Sequence, residues 1–460
     1  MDLTKRIPSY IIDVYKKISS AGFEIYLVGG SVRDLLLNRT ITDWDMTTNA
    51  TPEEILKLFP DGFYDNQFGT VGIPLEEHLP EQKGILEITT YRTEQNYTDN
   101  RHPEKVEWGK TLEEDLERRD FTINAIALSL TTNDTKLKTN IVDLYNGQQD
   151  LKNKLIRAVG DPNQRFKEDA LRLMRAIRFA TQLSFQIETK TLVAIQLDAA
   201  LLQNISAERI RDELLKILAS DYPYEGILLL RNTGLLQYIL PELLEGIGIS
   251  MVRPGRHHTT DVFDHNLLAL KYTPSKDPIV RLATLIHDAA KPRVIGKDEN
   301  GLVIFHNHEI VGARMAGQIA DRLRLSKKQK EKIVMLIRWH MFTVDEHITD
   351  AAVRRFIRRV GVGNVKDMID VRIGDRLGSG TQTAESWRLK EFKKRIEDQL
   401  KPAPFSINDL AIDGTDVMKE LNIKPSRKVG EILQKLFEEV DEDLNKNTKE
   451  YLLQRIKELN

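Results

Sequence analysis

The hydrophobic rhythm of the chain changes about a third of the way along. EIYLVGG (24–30) is a continuous apolar run ending in two glycines, which predicts a buried strand and a tight turn. SVRDLLL follows with helical spacing, and DWDMTT (43–48) alternates as a second strand. Thr51-Pro52-Glu53-Glu54 opens a helix, with Thr51 as N-cap and Pro52 at the first position. TVGIPL and ILEITTYR predict further strands. After residue 150 periods near 3.6 dominate and convincing strands vanish. A long basic amphipathic helix is expected from Asp161-Pro162 to about Gln182, with later helices at 206–219, 279–290, 309–324 and 326–341. The pattern predicts an α+β protein: a head of mixed sheet and helices, followed by all-α modules. Breaks near 150, at EGIGISMVRPGRHH (245–260 region) and near GSGTQT (about 380) divide the chain into 1–150, 151–250, 251–380 and 381–460.

Composition narrows the class. The 460 residues are 41% hydrophobic and 30% charged, enough for a sizeable core under a soluble surface. No stretch approaches the roughly eighteen uncharged apolar residues of a membrane helix. MDLTKRIPSY lacks a secretory pattern, so a cytoplasmic protein without a membrane partner is expected. Without cysteine, any metal must be held by His, Asp and Glu. The net charge of −2 speaks against gripping nucleic acid by bulk positive charge, but it hides a gradient. Residues 1–150 carry 16 basic and 26 acidic residues, a net of −10, and the remainder is +8. Eight of the ten histidines lie between His257 and His347, where a metal site is expected.

The acidic head carries the first candidate chemistry. Gly29-Gly30, between a strand and a helix, lets backbone amides approach an anion, and Arg33 on the first turn adds a fork of donors. Asp43 and Asp45 are i and i+2 on the predicted strand, so they face the same way, roughly 6.6 Å apart along the chain. Two such carboxylates suit a pair of Mg²⁺ ions about 4 Å apart, the arrangement for in-line attack on a nucleotide phosphate.

LVGGSVRDLLLNRTITDWDMTT resembles the first motif of the class II tRNA nucleotidyltransferases, the CCA-adding enzymes of the polymerase β-like superfamily. ERRDFTINAIAL (117–128) resembles their second motif, RFKEDALRLMRAIRFA (165–180) their template helix, and AERIRDELLKIL (207–218) the segment after it. The resemblance implies a polymerase β-like head with Mg²⁺ on Asp43 and Asp45. It implies that Arg119, Asp120 and Asn124 contact the incoming nucleotide, and that Glu87 adds a third carboxylate if its strand is adjacent. Asp169 and Arg172 are three apart, which predicts one shared helical face. A fixed carboxylate and a fixed guanidinium match the Watson–Crick edges of cytosine and adenine, and in the family this pair replaces a nucleic-acid template. The implied partners are tRNA, CTP and ATP. Enzymes of the family that add only CC lack a flexible loop between the first two motifs, whereas TYRTEQNYTDNRHPEKVEW (90–108) is long and intact here.

His265, His287-Asp288, His308, His340 and Asp375 resemble the spaced ligands of an HD-domain phosphohydrolase. Adjacent His and Asp on an apolar helix are costly to bury unless a metal satisfies both. Six ligands suffice for two ions sharing Asp288, and Mn²⁺, Co²⁺, Ni²⁺, Fe²⁺ and Mg²⁺ all remain open. Lys291 is a candidate phosphate contact, and His306 a supporting or solvent-exposed residue. Some CCA-adding enzymes use such a domain on phosphomonoesters or 2′,3′-cyclic phosphates, which implies hydrolysis at damaged tRNA 3′ ends. The four segments then read as nucleotidyltransferase head, helical neck with template helix, HD domain and helical tail. Arg172, Arg175 and Arg178, with Lys327, Lys328, Lys330 and Lys332 and Arg354, Arg355, Arg358 and Arg359, are expected to meet RNA phosphates. Addition of A alone, a poly(A) polymerase, an HD phosphohydrolase with an inactive head, and a non-catalytic RNA-binding protein stay open, as does the oligomeric state.

Overall fold

The computed structural model describes residues 3–459 apart from 66–68, 76–83, 98–102, 134–135, 252–259, 343, 345–347, 382 and 401–405. These residues form two units, Met1–Pro241 and Glu242–Asn460.

The first unit is built on a mixed sheet. Its strands are β1 (Ile25–Val28), β2 (Asp45–Thr48), β3 (Phe63–Asp65), β4 (Thr70–Pro74) and β5 (Ile85–Thr90). A ribbon, β6 (Arg92–Tyr97) and β7 (Pro103–Trp108), precedes β8 (Ile126–Asn133) and β9 (Lys136–Asp143). Seven strands run in the order β3-β4-β5-β2-β1-β8-β9, and the ribbon pairs with itself. β2 and β5 are parallel; the other neighbours are antiparallel. Ile25, Leu27 and Val28 of β1 are buried, as their uninterrupted apolar run requires of a central strand. Register places Val28 opposite Asp45 and Asp45 opposite Glu87. Thr51 caps helix Pro52–Leu58 through a reciprocal capping box with Glu54, as expected.

Three expectations need correction here. β2 begins only at Asp45, so Asp43 is an exposed residue just before the strand, and the two carboxylates are not i,i+2 partners on it. Trp44 between them is buried. The long helix from Asp161 to Gln182 is two helices, Pro162–Glu168 and Leu171–Leu183. Asp169 lies at their junction in extended conformation (φ −139°, ψ 102°), and its Oδ1 accepts a hydrogen bond from Leu171 N at 3.1 Å. A short polar side chain that bonds the backbone two residues on competes with helix continuation, which is why the break falls there. Finally, the segment read as a flexible loop is largely the β6–β7 ribbon, its tip (98–102) lying outside the described residues.

The second unit is helical, with one small hairpin, Ile295–Lys297 against Val303–Phe305. That hairpin, and a two-residue pairing of Leu155–Ile156 with Gln186–Ile187, are strands the 3.6 periodicity did not announce. Helices Val262–Tyr272 and Val365–Gly378 pack backbone to backbone through Gly374 and Gly378. A Cβ on Gly374 would stand 2.4 Å from Thr273 Oγ1 and 2.6 Å from Ala269 O. A separate core gathers Val417, Ile432, Leu436, Val440, Leu452 and Ile456 near the C-terminus.

Candidate functional site

The first site is a cavity of about 430 Å³ in the first unit. Gly29, Gly30, Arg33, Asp45, Arg119, Asp120, Asn124, Asp169 and Arg172 all line it, which brings together every residue expected at the nucleotide except Asp43 and Glu87. Helix Gly29–Leu36 starts directly from β1, and Gly29 takes a φ of +72°. A Cβ there would sit 3.0 Å from Arg119 Nη1 and 3.2 Å from Asp45 Oδ2, and the positive φ strains any residue other than glycine. The turn is therefore kept open beside a carboxylate and a guanidinium.

Polar groups around the cavity form one chain of contacts. Arg33 Nη1 donates to Asn124 Oδ1 at 2.9 Å, Asn124 Nδ2 donates to Asp120 Oδ1 at 3.0 Å, and Arg175 Nε donates to Asp120 Oδ2 at 2.7 Å. Burial opposes the Asp120 charge, but Arg175 and the Asn124 amide hold its carboxyl far below the ordinary range. Arg119 Nη2 and Arg118 Nη2 both donate to the fully buried Asp115, at 3.0 and 2.6 Å. Seven arginines and three carboxylates line the cavity, an excess that suits a polyanion such as a triphosphate.

Asp45 faces the opposite problem. Burial raises its carboxyl to about 6; Arg119 pulls the other way, and the nearby charges of Glu87 and Asp43 push it up further. Glu87 is on the adjacent strand directly opposite Asp45, so the condition set for a third carboxylate is met. Carboxylate oxygens are the donor type that hard divalent cations prefer.

Asp169 and Arg172 do share the cavity, but not one helical face. Asp169 takes Arg209 Nη1 and Nη2 at 3.2 and 2.9 Å, whereas Arg172 donates to Glu168 Oε2, Arg165 O and Arg118 O at 2.7, 3.0 and 2.8 Å. The i,i+3 pairing fails because Asp169 has left the helix. Arg209 was not singled out by sequence: it stands forty residues from its partner, and no local spacing encodes the contact. Arg175 and Arg178, expected on RNA phosphates, instead pair with Asp120 and Glu213 while facing the cavity beside Phe179.

The second site lies in the second unit. Ligand-type atoms of His265, His287, Asp288 and Asp375 fall within 4.8 Å of one another, as do those of Asp288, His308 and His340. All six expected residues thus converge, and Asp288 is common to both groups. Its Oδ2 is 3.2 Å from His265 Nε2 and 3.3 Å from His287 Nε2, while its Oδ1 is 3.2 Å from His308 Nε2. Despite that approach, Oδ1 has no hydrogen bond of acceptable geometry. Asp375 reaches His265 Nε2 at 3.3 Å because the glycines flanking it let its helix press against Val262–Tyr272.

Three of the imidazoles are oriented from behind. Nδ1 of His287, His308 and His340 lies 2.7, 2.8 and 2.7 Å from the carbonyl oxygens of Thr284, Phe305 and Ile337. These contacts assign the proton to Nδ1 and turn each Nε2 lone pair inward. Nε2 atoms then face one another at 3.3 Å in the pairs His265/His287 and His308/His340. Facing lone pairs and an orphaned carboxylate oxygen, all buried, fit two divalent cations. Burial opposes protonation of His287, yet Asp288 and Asp375 drive it up to about 10, while burial drives His340 down to about 3. Lys291 Nζ is 2.5 Å from Asp288 Oδ2, and His306 is exposed. His257, His258 and His347 lie outside the described residues.

Known proteins resemble the chain along most of its length. The poly(A) polymerase head-domain model matches residues 25–157, the model for the RNA and SrmB binding site of polymerase A matches 184–246, and the tRNA nucleotidyltransferase domain 2 model matches 312–456. Four of the six clustered ligands fall between the last two segments, so the cluster rests on its geometry. A CCA-adding enzyme of Lactobacillus helveticus is 50% identical over 205 residues, 44% of this chain and 48% of that protein. The chain spans about half the length of the curated CCA-adding relatives it matches most strongly. An A-adding tRNA nucleotidyltransferase of Deinococcus radiodurans is 35% identical over 427 residues, 90% of each chain. Among solved structures, the Bacillus stearothermophilus CCA-adding enzyme in complex with CTP superposes with a TM-score of 0.71 at 25% identity, covering 97% of this chain and 96% of that one. The chain belongs to the tRNA nucleotidyltransferase and poly(A) polymerase family.

Proposed function

We propose that the chain adds CCA to the 3′ end of tRNA, taking CTP and ATP in turn at the 430 Å³ cavity. The observation that carries this reading is the convergence of Asp45, the Gly29-Gly30 turn, the arginine lining and the Asp169–Arg172 pair in one cavity. Asp43 and Asp45, with Glu87 beside them, would hold Mg²⁺, which supplies the positive charge that offsets the triphosphate and the attacking oxygen. Arg33 and Arg119 bind phosphate oxygens, and the open Gly29-Gly30 turn admits them to backbone amides. Asp169 accepts from the exocyclic amino group of cytosine or adenine, and Arg172 donates to the ring acceptors. Arg209 holds Asp169 in place. The tRNA 3′ hydroxyl releases its proton to solvent and its oxygen bonds to the α-phosphorus as the bond to the β-phosphate breaks, and pyrophosphate leaves.

In this reading residues 1–150 are the catalytic head, 151–250 the neck with the template residues, 251–380 an HD domain and 381–460 a helical tail. Among the described residues no helix is long and apolar enough to cross a membrane. A second reading, addition of A alone, is favoured by the Deinococcus relative, which is matched along 90% of its length and carries that name. Incubating the protein with tRNA lacking CCA, Mg²⁺ and labelled CTP or ATP, separately and then together, tests both. Ordered C, C, A incorporation is expected; A alone would select the second reading, and no incorporation would refute both.

For the His/Asp cluster the proposed activity is hydrolysis of phosphate esters at RNA ends; His265, His287, Asp288, His308, His340 and Asp375 would hold a divalent transition metal or Mg²⁺, which would supply a Lewis acid for water. Lys291 beside Asp288 neutralises part of the buried negative charge and offers a cation to a phosphate. Phosphate release dependent on Mn²⁺, Ni²⁺ or Mg²⁺ and lost in His287→Ala is expected. Its absence with all three metals would refute the activity.

A further inference from the structure

A second cavity, also about 430 Å³, lies in the second unit and is lined by chain neighbours of two of the clustered histidines. Its floor is aromatic: Phe342, Phe356 and Phe392 pack with ring centroids 4.8, 5.2 and 5.6 Å apart. Trp339 forms part of the wall, with the guanidiniums of Arg338 and Arg359 over its ring at 4.5 and 5.0 Å. Arg355 and Arg359, both exposed on helix Asp350–Val360, leave the rim with three arginines against a single carboxylate, Glu309.

The cavity is tied to the cluster at three points. Glu309 follows His308 in the chain, and Trp339 precedes His340. Arg372 bridges the two places directly: its guanidinium lies 5.7 Å from the Phe342 ring, and its Nη1 is 3.2 Å from Asp375 Oδ2. Aromatic faces and stacked guanidiniums receive a planar ring, and the excess of arginine requires that the ligand be an anion. Placed beside a cluster suited to phosphate-ester hydrolysis, that combination describes a nucleotide.

We propose that this cavity is the subsite for the terminal nucleoside of an RNA 3′ end, stacking its base on the aromatic wall while its 2′- or 3′-phosphate is directed to the His/Asp cluster. The inference rests on the phosphohydrolase reading of that cluster. Stacking on π-faces with guanidinium contacts discriminates little among bases, so recognition is of a nucleoside phosphate rather than of a sequence.

The test uses the full-length, metal-loaded protein and uridine probes, since uracil offers no exocyclic amino donor to Asp169. Calorimetric titration with uridine 2′-monophosphate should show binding that weakens at least about tenfold in Arg355→Ala/Arg359→Ala, with Arg359→Lys in between because it keeps charge but loses the planar stack. In parallel, the kcat/KM ratio for uridine 2′,3′-cyclic phosphate over bis(p-nitrophenyl) phosphate should fall by a similar factor, chiefly through KM. Binding that is unchanged in the double variant, or absent in the parent protein, overturns the subsite. Arginine-dependent binding without hydrolysis of either ester supports the subsite and refutes the hydrolase reading. Hydrolysis of both esters with an unaltered ratio does the reverse.

Discussion

At the residue scale, the head's chemistry is carried by side chains that are costly to leave unpaired. Asp115 is wholly buried and held down to about 2, against the penalty of burial, by Arg118 and Arg119. A carboxyl depressed in the folded state contributes stability above its unfolded pKa, and that contribution is lost as pH falls through the folded value. Asp115→Asn should therefore lower stability at pH 7 by about 2 kcal/mol, and flatten the loss of stability between pH about 4 and about 2. Chemical denaturation across that range checks both statements. Exchanging Asp169 and Arg172 should collapse the preference for CTP and ATP over UTP and GTP, read from single-nucleotide incorporation; an unchanged preference would sink the template role. Arg119, Asp120 and Asn124 came only from the resemblance of their motif, whereas Gly29, Gly30, Arg33 and Asp45 were legible from their own placement where elements begin and end. Arg209 was not, since its contact with Asp169 is purely tertiary.

At the element scale, periodicity found the helices but could not see where one gives way to another. Asp169 interrupts an apparently continuous amphipathic run because its side chain takes the backbone N–H of Leu171 instead of the chain continuing as helix. The close packing of Val262–Tyr272 on Val365–Gly378 was likewise hidden: Gly374 and Gly378 read as ordinary helix-weakening residues until the facing backbone is known. Gly374→Ala cannot be accommodated by moving a flexible side chain alone, because Ala269 O is a backbone atom. It should cost about 1–3 kcal/mol and loosen Asp375 from His265, which metal content after dialysis and the thermal midpoint would register. The β6–β7 ribbon shows the converse: polar composition suggested a loop, whereas pairing between its own two strands makes it an element. Shortening the ribbon should leave addition of C largely intact and suppress the terminal A, which gel analysis of CTP-only and CTP-plus-ATP reactions separates.

At the scale of the whole molecule, a net charge of −2 conceals two different uses of charge. The acidic head contains the carboxylates that call for cations, and much of the basic excess is spent internally. Arg354 and Arg358, expected on RNA, both donate to the buried Asp441, while Lys332 bridges Asp277 and Asp367. What remains outward, such as Lys327, is a smaller set than the sequence totals imply. Whether the acidic head is a working nucleotidyltransferase is decided by incorporation of labelled CTP and ATP into tRNA lacking CCA by the parent protein and by Asp45→Asn. Robust ordered addition by the parent is expected, with a loss of at least about 10³-fold in the variant while tRNA stays bound. Undiminished addition by the variant, or none by the parent, would contradict that reading.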